Sequence, residues 1–175
     1  MIDLYKVFKK KWDQYAPESC GALLCLSAGM LDGLYMDVGP TSWHSQLVMP
    51  WFNPPNWVFG PVWTLLYLLM GIALGKLWKN RAQNPRALVL FFIQLILNLA
   101  WSPIFFHMHK IDWALWDLMA LCAVTSALLW ATRKNRTIFF LLLPYMLWIS
   151  FACLLNWGIY EHNVLLKSSH TRKTR

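Results

Sequence analysis

Four stretches of this chain, residues 57–78, 87–106, 113–132 and 138–160, each run for twenty residues or more with at most one charged side chain. About 20 residues at 1.5 Å rise cross the hydrocarbon core of a bilayer. A lipid-exposed backbone segment must satisfy its own hydrogen bonds, so such runs become helices. The composition agrees: 58% of residues are hydrophobic and 14% charged, against roughly 25% charged in soluble domains. A fifth run, residues 19–38, contains CGALLCLSAGMLDGLYM and is broken by Asp32 and Asp37. The reading is an all-α, polytopic membrane protein: one domain over residues 1–175, built as a bundle of five transmembrane helices. A basic, amphipathic start (1–18) is expected to lie along the interface, and a polar tail covers 161–175. The basic start and first run also have the outline of a signal peptide. The lack of a small-x-small cleavage site and the presence of Asp32 set that reading aside.

The net charge of +8 does not point to nucleic acid, because Lys and Arg cluster between the apolar runs. Eleven of the 16 basic residues fall on the side shared by the N-terminus and the second and fourth linkers. The positive-inside rule then predicts a cytoplasmic N-terminus in a bacterial cell membrane. Cys20, Cys25, Cys122 and Cys153 lie in apolar runs without a CxxC pair and read as buried small residues. His44, His107, His109 and His162 fall on one side but match no metal-ligand spacing, so no metal is expected. Gly29-x-x-x-Gly33 and Gly71-x-x-x-Gly75 let helices approach closely, within the chain or in a homodimer.

Polar residues inside a membrane need a partner or a cavity. Gln94, Asn98 and Trp101 share one helical face, as do Tyr145, Trp148, Ala152, Asn156 and Tyr160. Trp63, Tyr67 and Met70 form a third stripe, and Trp113, Trp116 and Asp117 a fourth. Any one amide reads equally as glue between helices. Four Trp-rich stripes together suit an internal cavity for a flat aromatic ligand. Ala152 either leaves room beside Trp148 or packs helices closely. Ahead of the second run, PWFNPPNWVFGPVW (50–63) is uncharged and rich in Pro. It reads as a stiff aromatic lid, with Asn53 and Asn56 supplying turn and cap chemistry, Trp57 as an interface anchor and Trp63 reaching inward.

The blocks PPNWVFGPVWTLLYLLMG, QLILNLAWSPIFF, WALWDL and LPYMLWISFACLLN, in that order, resemble the TspO/MBR family of translocator proteins, or peripheral-type benzodiazepine receptors. The resemblance covers about residues 43–156, and the part through Asp37 is only loosely similar. It implies a five-helix bundle that binds tetrapyrroles such as protoporphyrin IX and haem, and isoquinoline-type small molecules in the same pocket. The positions that match family pocket residues are Trp63, Asn98, Trp101, Trp113, Trp148, Phe151, Ala152, Leu155 and Asn156. No obligatory cofactor is implied; porphyrin or haem would be the ligand, and membrane lipid the surroundings. The cholesterol motif of mammalian relatives is not met after the fifth run, because six residues separate Tyr160 from Lys167. Asp32 and Asp37 are not part of the family pattern.

The leading functional reading is a membrane translocator or sensor that binds tetrapyrroles. An alternative is a Trp-dependent enzyme that degrades porphyrin in light, with Trp63 as the participating residue. A third is a regulatory scaffold controlled by its ligand. No hydrolytic triad, metal-dependent site or nucleotide loop is present in the sequence, so conventional catalysis has no support.

Overall fold

The structure, a computed structural model, describes the backbone of residues 4–165 and the side chains of Trp12 and of 15–165. Five α-helices follow one another: α1 (Leu4–Gly33), α2 (Asn56–Lys79), α3 (Pro85–Ser102), α4 (Ile111–Thr132) and α5 (Arg136–Tyr160). Wide π-helical turns extend α3 over Pro103–His107 and α5 over Glu161–Leu165. With these extensions, α2 to α5 are, among the described residues, the four helices long and apolar enough to cross a membrane. The chain is therefore an all-helical, multi-pass membrane bundle. Its fifth helix, α1, does not reach that measure.

The N-terminal half of the chain departs from expectation. The basic start is continuous with the first helix, which runs from Leu4 through Pro17 without a break. It is not a separate interfacial segment. The helix also stops at Gly33, five residues short of the expected end, where Leu34, Tyr35 and Met36 tighten into turns onto the carbonyls of Leu31, Asp32 and Gly33. Gly39 and Pro40 follow, neither a helix former. Residues 1–3, and the part of the tail from 166 on, lie outside the described residues. The start of the expected tail, Glu161–Leu165, is π-helical and ordered by Asn163, whose side chain exchanges two hydrogen bonds with the backbone of Val48 (3.0 and 2.9 Å).

Helix α1 lies antiparallel on α2, and glycines set the distance. Gly75 faces the backbone of Pro17 and Glu18, Gly71 the backbone of Gly21 and Ala22, and Gly29 the ring of Tyr67. Both small-xxx-small pairs contribute a glycine to this contact within the chain. At the far end Lys79 Nζ donates to both carboxylate oxygens of Glu18, at 2.9 and 2.7 Å. Next around the bundle, α2 packs on α5, α5 on α4 and α4 on α3, and α3 closes the ring on α1 and α2. Fully buried Met70, Phe91, Leu121, Leu142, Tyr145 and Ile149 fill one half of the interior. Gln94 is buried there too, with no partner for its amide among the described residues, so the stripe it begins does not face a cavity along its whole length.

Local chemistry sets the helix starts. Asn84 caps α3 by accepting from Ala87 N–H (3.2 Å) with Pro85 in the first turn, and Asn135 caps α5 through Ile138 N–H (3.3 Å). At α2 the cap position is Pro55, with no side-chain cap bond. Asn56 is the first helical residue, which corrects the expected capping role.

Candidate functional site

The other half of the bundle interior is a cavity of about 570 Å³, within the roughly 300–1,000 Å³ typical of small-molecule sites. All five helices line it. From α2 come Phe59, Trp63 and Tyr67, from α3 Asn98 and Trp101, and from α5 Trp148, Ala152, Leu155 and Asn156. Leu118 and Leu121 close the side toward α4, and Gly29 and Asp32 the side toward α1. The π turn after α3 adds Phe105 and Phe106. Such a turn holds one extra residue per turn, which changes the face presented by the residues that follow it.

The loop over residues 34–55 covers one end. Trp43 stacks on His109 (centroids 4.3 Å apart) and meets Phe105 edge-on at 5.6 Å, while His44 leans on Phe106 at 5.5 Å. His109 adopts φ 55°, which lets the short turn before α4 bring its ring to Trp43. Pro50 lies against Gly158 and Phe52 against Phe151. With Val48 held by Asn163, the cover is pinned to the end of α5 at three places.

Of the nine residues singled out in the sequence, seven line the cavity: Trp63, Asn98, Trp101, Trp148, Ala152, Leu155 and Asn156. Phe151 does not line it; it packs behind, between Phe52 and Trp148. Trp113 is 63% exposed on the outside of α4, and Trp116 shares that outer surface. The two indoles of the expected inward stripe on α4 are thus on the outside, which suits an amphipathic ring near a helix end, while Asp117 of the same stripe is half-buried with its Oδ2 inside. Trp57, 75% exposed, is on the outside as expected of an interface anchor. Asn53 and Asn56 line the cavity mouth.

Hydrogen bonding within the wall is more complete than a helix-by-helix reading suggests. Tyr67 O–H donates to Asn98 Oδ1 at 2.7 Å. Trp101 Nε1–H donates to Asn156 Oδ1 at 3.2 Å, and Asn156 Nδ2 donates to the carbonyl of Ile111 at 3.0 Å. Asn156 therefore braces α3, α4 and α5 together, and neither it nor the Trp101 N–H is free for a ligand. The rings of Trp63 and Trp148 offer aromatic surface instead. Trp63 lies 5.6 Å from Tyr67 and 6.5 Å from Tyr145, and Trp148 lies 5.9 Å from Phe59. Ser102 O–H donates to Oδ2 of Asp32 at 2.8 Å, a pair that spacing along either helix alone could not show. Burial pushes the His44 imidazole below its ordinary pKa, with Asp37 pulling weakly the other way. Among the described residues no three His, Cys, Asp or Glu come together as a metal site.

A multi-pass membrane bundle with an aromatic, largely uncharged cavity under a covering loop is the architecture of a membrane sensor or translocator protein. The chain belongs to the TspO/MBR family, whose pattern matches residues 21–161. It is 40% identical over 146 residues to the tryptophan-rich protein TspO of Chlorobaculum tepidum, covering 80% of this chain and 91% of that protein. It is 34% identical over 149 residues to the tryptophan-rich sensory protein of Cereibacter sphaeroides, covering 85% of each. It is 32% identical over 152 residues to the translocator protein of Bos taurus, covering 83% of this chain and 89% of that one. The chain is thus a membrane protein of a sensor and translocator family.

Proposed function

We propose that the cavity binds a tetrapyrrole such as protoporphyrin IX, and that the protein carries or senses it. The observation behind this reading is the pair of indoles, Trp63 and Trp148, on the wall of a 570 Å³ space with almost no charge. A porphyrin is a large π-surface, and rings of this kind favour offset or edge contacts with indole. Asn156 contributes shape more than hydrogen bonds, because its Oδ1 and Nδ2 both have partners already, and Asn98 Oδ1 is taken by Tyr67.

Titration of the purified protein with protoporphyrin IX, followed by quenching of Trp fluorescence, tests this. Trp63→Phe is expected to weaken binding about tenfold, since ring stacking and lost area each contribute on the order of 1 kcal/mol. Trp57→Phe should leave the affinity within twofold, because its indole is outside. Equal behaviour of the two variants would remove the porphyrin from this cavity.

The charge distribution supports a cytoplasmic N-terminus in a bacterial cell membrane. With five helices crossing, reporter fusions at the two ends should then report opposite sides. The same side at both ends would mean that α1 does not cross.

A further inference from the structure

Several polar groups of the cavity wall are already matched within the protein. Tyr67 is bonded to Asn98, and Trp101 and Ile111 O to Asn156. Asp32 differs from these, being the one carboxyl among the described residues that line the cavity. Ser102 O–H holds its Oδ2 and so sets the plane of the carboxyl group. Its Oδ1 has no partner among the described residues and is shut off from solvent. Among the described residues no Lys or Arg lines the cavity, and the one lining imidazole, His44, is kept toward its neutral form by burial. A carboxylate without a counter-charge beside an apolar cavity is costly, and the missing charge can come from whatever enters.

We propose that Asp32 gives the cavity a preference for aromatic ligands that carry a protonated amine, over neutral or carboxylate-bearing ones of the same size. An ammonium group would supply the absent counter-charge, in a medium where opposite charges attract far more strongly than in water. A carboxylate ligand would have to keep its own negative charge away from α1. The inference rests on the cavity being the binding site, as proposed above, but not on the ligand being a porphyrin.

The test uses two pyrene probes, 1-pyrenemethylamine and its N-acetyl derivative, titrated into the full-length protein by energy transfer from Trp. The amine is expected to bind about tenfold more tightly than the acetamide. Asp32→Asn should bring the two within about twofold, mainly by weakening the amine. Should Asp32→Asn fail to fold, Asp32→Ser carries the same expectation. Equal affinities in the wild type, no binding of either probe, or an unchanged ratio in the variants would each overturn the proposal. Protoporphyrin IX titrated in parallel separates the two readings. Amine selectivity without porphyrin binding sinks the porphyrin reading alone. Porphyrin binding without amine selectivity sinks the role of Asp32 alone.

Discussion

Replacing Gly71 by Val is expected to lower the thermal midpoint in detergent by on the order of 10 °C, the shift that roughly 3 kcal/mol produces in a chain of this size. A Cβ at this position would run into the backbone of Gly21 and Ala22. Backbone cannot rotate out of the way as a side chain can, so α1 would have to move off α2 as a body. Overpacking ordinarily costs about 1–3 kcal/mol, and more where the neighbour cannot yield. Gly75→Val should behave alike, because its Cβ would meet Pro17 and Glu18 backbone. Gly60→Ala is the control: nothing lies within 4 Å of a Cβ there, and alanine gains about 0.5–1 kcal/mol in a helix. If Gly71→Val melts with Gly60→Ala, the close approach is not what holds the two helices.

Ala152→Leu is expected to abolish porphyrin binding, with at least a tenfold rise in Kd, and to leave the thermal midpoint within a few degrees. Ala152 lines the cavity between Trp148 and Asn156, one helical turn from each. Its added side-chain atoms would enter open space and not the packed half of the bundle, so the cost falls on the ligand. Three extra carbons directly beside Trp148 would displace a ring from that indole. Ala152→Gly should keep the affinity. Unchanged binding in Ala152→Leu, measured by the same quenching titration, would mean that the residue only spaces helices.

The four apolar helices were readable because lipid allows almost no other explanation for twenty residues in a row with at most one charge. Helix α1 was harder, since its first turns carry four Lys and since apolar Leu34, Tyr35 and Met36 prolong the apolar run past the helix end at Gly33. Seven cavity residues followed from helical periodicity and family resemblance together. Trp113 did not, because the same amphipathic indole suits a cavity wall and a lipid interface, and spacing cannot choose between them. The pairing of Trp101 with Asn156, and of Ser102 with Asp32, joins residues 55 and 70 positions apart. No periodicity within one helix carries that information. The π turn was equally hidden, although Pro103 marks the place where regular helix gives way.

The glycine contact between α1 and α2 bears on how the chain is built into the bilayer. Helix α1 falls short of the apolar measure that its four companions meet. Lipid alone holds it weakly, and what it has in compensation is the backbone of α2 along most of its inner half. Close packing of this kind favours entry of the two helices and the loop between them as one hairpin, with α2 as the anchor and α1 as its passenger. Since α1 brings Asp32 to the cavity, the site has no complete wall until that hairpin has closed.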